Sequence, residues 1–151
     1  MRRVVITGLG LLTSIGNNVK ETWDNLISRK SGIKKITIFD TNDLPCKIAG
    51  HISEDPNDEV FCDLQNLFES RVLKRNDRFI IYGLAAANEA IRDSGIHNFN
   101  EKQKIRTGIS VGSGIGGLET IYEGSITLST KGPRKISPFF IPASLINLLS
   151  G

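Results

Sequence analysis

The sequence predicts an α/β fold, and three observations carry the prediction. Val4-Val5-Ile6-Thr7 is a β-branched run that breaks into glycines at Gly8 and Gly10, the pattern of a buried strand. Residues 105–111, 112–117 and 118–128 repeat that order as strand, glycine turn and helix. Between the two units, "RNDRFIIYGLAAANEAIRDSG" has the period of a helix but is apolar on most sides, which suits a helix buried between layers. Helices alternating with buried apolar strands argue for α/β layering. Two strong strands make a poor sheet, so the chain reads as the front part of a larger α/β protein.

Each element can be justified in order. After the Val4–Thr7 strand, Asn18 can cap a helix, with Glu21 three residues on. Val19, Trp23, Leu26 and Ile27 then share one helix face, and Gly32 is the expected stop. Residues 33–66 are irregular, with short strands expected at Lys35–Phe39 and Lys47–Ile52. Asp55-Pro56-Asn57-Asp58 is a turn that opens a short helix through Leu64. Gly95 ends the long helix over residues 75–95. "KGPRKISPFFIP" is a loop with three prolines, and "ASLINLLSG" starts another helix. No repeat or low-complexity segment interrupts this order.

Composition excludes several classes. A chain of 151 residues with 39% hydrophobic and 23% charged residues is one ordinary core-forming domain in size. The net charge of +3 favours an acidic partner slightly, but no run of five like charges forms a nucleic-acid tail. Two cysteines, Cys46 and Cys62, are too few for a disulfide framework and match no zinc spacing. The apolar start meets glycines at once, and no stretch of about 18 apolar residues could span a membrane. The expectation is a soluble cytoplasmic chain that binds neither membrane nor nucleic acid.

Gly112, Gly114 and Gly117 fall on the G-x-G-x-x-G spacing of a dinucleotide loop. Such a loop needs an acidic residue about 20 positions on, and no Asp or Glu occurs from 124 to 151. The glycines are better read as close packing of strand on helix, which leaves Ile115 as a branched residue on a tight turn. Neither cysteine adjoins a strand-to-helix turn or a histidine. His51 follows a weak strand, and His97 follows a helix end, where a cation is favoured. No metal motif and no paired carboxylates appear. Arg71, Lys74, Arg75 and Arg78 are spaced i, i+3, i+4, i+7, one face if the stretch is helical. They precede the buried helix, where cations oppose its dipole. A solvated face and a docking face for an acidic partner are both open. Arg134-Lys135 is a second basic pair.

"RRVVITGLGLLTSIGN", "SGI…FD", "YG…A…DSG", "GSGIGG" and "GPRKISPFFIPASLINLLSG" occur in this order and resemble the N-terminal part of the β-ketoacyl-[acyl-carrier-protein] synthases of type II. The resemblance covers essentially all 151 residues. It implies a thiolase-like fold layered α-β-α-β-α, of which residues 1–151 form the N-terminal, incomplete portion, in a protein that is usually a homodimer. It implies elongation of fatty acids: malonyl-carrier protein is condensed with an acyl thioester by a cysteine nucleophile and two histidines, with no cofactor or metal. None of Cys46, Cys62, His51 or His97 matches those catalytic positions, so this stretch is expected to hold no catalytic residue and to be inactive alone. By the same resemblance, Ile115, Phe140 and Ile141 line the acyl pocket. Arg71, Lys74 and Arg75, with Arg134 and Lys135, match the surface that docks the acyl carrier protein. A non-catalytic carrier-binding or chain-length-setting partner module is the alternative.

Overall fold

In the computed structural model, which describes residues 3–96 and 98–151, the chain is dominated by helices around one small core. The first helix, α1 (Val19–Ile27), begins where Asn18 Oδ1 accepts the Glu21 backbone N–H at 2.8 Å. Glu21 reaches back one residue further than a capping box requires and accepts from Asn17 N–H at 2.7 Å. The helix stops at Ser28 and Arg29, the latter at φ 58°, three residues before the expected Gly32. Its inward side is Thr22, while Trp23, Leu26 and Ile27 face outward. The apolar stripe is one face, and the described residues leave it uncovered.

β1 (Ile33–Lys35) and β2 (Ile48–Gly50) pair antiparallel, with Lys34 opposite Ala49. Both are shorter than expected, and β1 starts two residues earlier. The Asp55–Asp58 turn forms as an Asx turn, with Asn57 N–H on Asp55 Oδ1 at 2.9 Å. No helix opens from it; α2 (Leu64–Leu67) starts later, under an Asp63 cap. α3 (Ser70–Arg75) and α4 (Arg78–Asp93) follow, separated by extended backbone at Asn76 and Asp77. Gly95, at φ 69°, ends α4 as expected. The core gathers Cys62, Leu64 and the fully enclosed Ile81, with Leu12, Ile52, Phe68, Val72, Leu73 and Tyr82 packed against them.

The two strongest strand expectations are overturned. Residues 4–7 pair with nothing among the described residues, and Val4 is 96% exposed. A β-branched run needs a ladder partner to become a strand. The segment after it lies on α4, where the carboxylates of Asp93 and Glu89 accept the N–H groups of Leu9 and Leu11, each at 2.9 Å. A Cβ on Gly8 or Gly10 would collide with the carbonyls of Ala90 or Ala86, so both glycines are set by close approach to α4. At the second unit, α5 (Glu101–Ile105) occupies the start of the expected strand. Asn100 and Gln103 build a reciprocal capping box there, a signal present in the sequence. Residues 106–112 run without regular structure into α6 (Leu118–Lys131), whose position agrees with the expected helix. A 3₁₀ turn at Pro133–Lys135, a short α7 (Phe140–Ser144) and a 3₁₀ turn at Ile146–Leu149 complete the chain.

Candidate functional site

Four of the expected site residues, Lys74, Arg75, Lys135 and Phe140, meet against α6. α3 supplies Lys74 and Arg75, α6 supplies Thr120, Glu123, Gly124 and Thr127, and the 133–143 segment supplies Lys135, Phe139 and Phe140. Together they line an open groove of about 240 Å³. Gly124 is what lets the 133–143 segment close on α6, because a Cβ there would collide with the Phe140 ring. The Arg75 guanidinium lies over Phe139, 4.6 Å from the ring centroid, a cation–π contact that ties α3 to the segment before Phe140. The lining holds three cations, Lys74, Arg75 and Lys135, and one carboxylate, Glu123.

The basic stripe is not one helix face. α3 ends at Arg75, and Arg78 opens α4. Lys74 and Arg75 therefore stand in the last turn of a helix, where cations are favoured, and not against the dipole of α4. Arg78 is removed from the stripe by its ion pair with Glu54, 2.9 Å from Nε to Oε1. The Tyr82 hydroxyl donates to the same Glu54 oxygen at 3.2 Å, and burial and Glu54 push its pKa up. Arg71 and Arg134 are exposed and lie outside the groove lining.

The glycine turn divides in two. Nothing lies within 4 Å of a Cβ built on Gly112 or Gly114, whereas Gly116, at φ 85°, and Gly117 are packed against Ser144 and its neighbours. Gly117 N–H donates to Ser144 carbonyl at 3.1 Å, and Gly116 N–H donates to Ser113 Oγ at 3.1 Å. Those two donors are already used, and no strand precedes the turn, which removes the cradle a dinucleotide phosphate would need. Ile115, at the tip, is 68% exposed, and Ile141 is also exposed; neither lines the groove that holds Phe140.

No acid–base or nucleophilic constellation forms among the described residues, and no group of three His, Cys, Asp or Glu could hold a metal ion there. Cys62 is enclosed, and burial, then Glu54 and Asp63, push its thiol up, the opposite of activation. Cys46 is exposed, its Sγ 3.3 Å from the Ile48 carbonyl oxygen. His51 Nδ1 is buried without a partner, in a cavity shared with Thr13, Ser14, Arg78 and Tyr82 and no cysteine. His97 lies outside the described residues.

A family model described as Beta-ketoacyl synthase, N-terminal domain, matches residues 1–151. The chain belongs to the β-ketoacyl synthases. It is 42% identical over 151 residues to 3-oxoacyl-[acyl-carrier-protein] synthase 2 of Rhizobium meliloti (strain 1021), covering 100% of this chain and 36% of that protein. It is 41% identical over 150 residues to the protein of the same name from Vibrio cholerae serotype O1, covering 99% and 34%. The chain thus spans about a third of the length of the curated relatives it matches. Among solved structures, the ishigamide ketosynthase/chain length factor aligns over 98% of this chain and 35% of its own, at 26% identity and TM-score 0.75. A chain from the complex of a type II PKS acyl-carrier protein with its ketosynthase aligns over 100% and 37%, at 21% identity and TM-score 0.68. These likenesses show the thiolase-like α/β fold, of which the β-ketoacyl synthase chain is an N-terminal portion.

In this β-ketoacyl synthase chain the residue that sequence reasoning passed over is Asp77. It is 8% exposed and stands between two helices. Its Oδ1 faces Phe79 N–H at the start of α4, 3.5 Å away. Its Oδ2 accepts both the N–H of Thr120, at 2.9 Å, and the Thr120 hydroxyl, at 2.6 Å. Thr120 is the third residue of α6, so one carboxylate serves the open donors of two helix starts. "ND" before an apolar helix is a legible cap for α4; the bond to Thr120, 43 residues on, is not.

Proposed function

We propose that the protein to which this chain belongs is a 3-oxoacyl-[acyl-carrier-protein] synthase of fatty acid elongation. The single observation that carries the reading is the identity of about two residues in five with synthases of that name across the whole chain. The reaction is a decarboxylative Claisen condensation. An acyl group held as a thioester accepts the carbanion left when malonyl-carrier protein loses carbon dioxide; the thiolate leaves, and a 3-oxoacyl-carrier protein results. The nucleophile and histidines that the family uses have no counterpart in residues 1–151. The share of the work assigned to these residues is binding.

Docking of the acidic acyl carrier protein is assigned to Arg71, Lys74, Arg75, Arg134 and Lys135. The convergence of three of them on one groove supports this, since a cluster of cations around a concave face steers an acidic partner. The acyl chain is assigned to Ile115, Phe140 and Ile141. Phe140 lines the same groove as Lys74, Arg75 and Lys135, which supports an acyl group held next to the carrier's docking cations. A cytoplasmic homodimer, using acyl and malonyl thioesters, completes the proposal.

The test supplies the full-length protein with malonyl- and acyl-carrier protein and measures carbon dioxide and 3-oxoacyl product together. Product formation is the expected result. Carrier binding without product points instead to the non-catalytic partner module.

A further inference from the structure

We infer that Asp77 is a positioning residue for the loop that carries Ile115, and so for the choice of acyl primer. The inference rests on the proposed role of Ile115 and adds to it a residue on another helix. Ile115 is exposed on a turn whose first glycines touch nothing, so its position depends on the end of the turn that is held. That end is Gly116, Gly117 and the first turn of α6. Two bonds hold it. Gly117 N–H donates to the Ser144 carbonyl, and the Asp77 carboxylate takes both donors of Thr120.

The carboxylate reaches α6 because Gly117 has no side chain; a Cβ there would stand 3.0 Å from Asp77 Oδ2. Asp77 is itself fixed from behind. It is two residues past Arg75, its neighbour Asn76 donates through Nδ2 to the Val72 carbonyl of α3 at 3.0 Å, and its own helix begins one residue later. The start of α6 is therefore tied to the junction of α3 and α4, not to solvent. A buried carboxylate with two short donors gives a stiff link, because charge-assisted bonds are shorter and stronger than neutral ones. Loss of that link frees the α6 start to shift, and Ile115 with it.

The experiment measures kcat/KM of the full-length protein for one short and one long acyl-carrier primer in four variants. Ile115→Phe tests the underlying role. Thr120→Val removes the hydroxyl donor and keeps volume. Asp77→Ala removes the link entirely. Asp77→Asn is the rescue: its amide oxygen can accept both Thr120 donors, while its NH₂ is left facing Phe79 N–H. Small misplacements of a site can cost up to about a hundredfold, and an entrance loop should respond with about a tenfold change in the long-to-short ratio in Asp77→Ala. Thr120→Val should move the ratio in the same direction by less, and Asp77→Asn should keep it near wild type while lowering the melting temperature. The inference is overturned if Ile115→Phe changes the ratio but Thr120→Val and Asp77→Ala lower both primers equally, since Asp77 is then only a helix cap. If Ile115→Phe leaves the ratio unchanged, the role of Ile115 fails and the inference with it. Should Asp77→Ala not fold, Thr120→Val against Asp77→Asn decides.

Discussion

Replacing Lys74, Arg75 and Lys135 together by glutamate turns a groove with three cations and one carboxylate into one with four carboxylates. All three side chains are exposed, so each contact with an acidic carrier protein is worth about 0.2–1 kcal/mol. Their joint neutralisation should cost about 0.6–3 kcal/mol, or about three- to a hundredfold in the KM for carrier-bound primer. Reversal should exceed that, because Glu123 already stands in the lining and repulsion is added. Arg75 carries a second load, the contact over Phe139, worth about 0.5–1 kcal/mol at an exposed site. The melting temperature should therefore fall slightly in Arg75→Glu and not in Lys74→Glu. The assay compares kcat/KM for a carrier-bound primer and for a small thioester of the same acyl chain, at low and high salt. The expected result is a loss confined to the carrier-bound substrate, with the wild-type advantage shrinking as salt screens the groove. Equal loss with both substrates, or a loss indifferent to salt, would refute the docking argument.

Gly117→Ala should be among the most damaging single changes in the turn, because its Cβ would collide with the Ala143 carbonyl and crowd Ser144; overpacking of that kind costs about 1–3 kcal/mol and should appear as a lower denaturation midpoint. Alkylation should separate the two cysteines: Cys46 is exposed and should react with iodoacetamide, while Cys62, enclosed and with its thiol pushed up, should stay unlabelled as the pH rises past the ordinary thiol range of about 8.5, a difference read by peptide mass. Acid should weaken the 30–60 region first. Lys34 holds Asp58, and Lys30 holds Glu59, below the usual carboxylate range, so their contribution is present above about pH 4 and is lost as the pH falls through the lowered values, which hydrogen exchange of that segment would detect.

What the sequence makes legible is what neighbouring residues decide among themselves. Asn18 caps α1, Gly95 stops α4, Asp55–Asp58 turns, and α6 starts after Gly117, because each of these signals is complete within a few residues. What it hides needs a second segment. Residues 4–7 and 105–111 carry strand composition, yet a ladder requires a partner that the described residues do not provide. The spacing of Arg71, Lys74, Arg75 and Arg78 suggests one helix, but the extended backbone at Asn76 and Asp77 breaks it and turns Arg78 toward Glu54. The groove combines α3 with residues some sixty positions later, and the Asp77–Thr120 bond joins the starts of two helices 43 residues apart, so neither follows from any local pattern.

Under the proposed function, an acyl chain delivered by a carrier protein runs along this portion of the molecule. Acyl carrier protein bearing a photoreactive acyl chain, illuminated with the full-length protein and mapped by peptide mass spectrometry, measures that path directly. Labels on the peptides that contain Ile115, Phe140 and Ile141, reduced by the charge reversal at Lys74, Arg75 and Lys135, are the predicted result. Efficient labelling elsewhere, with those three residues untouched and the charge reversal without effect, would contradict it.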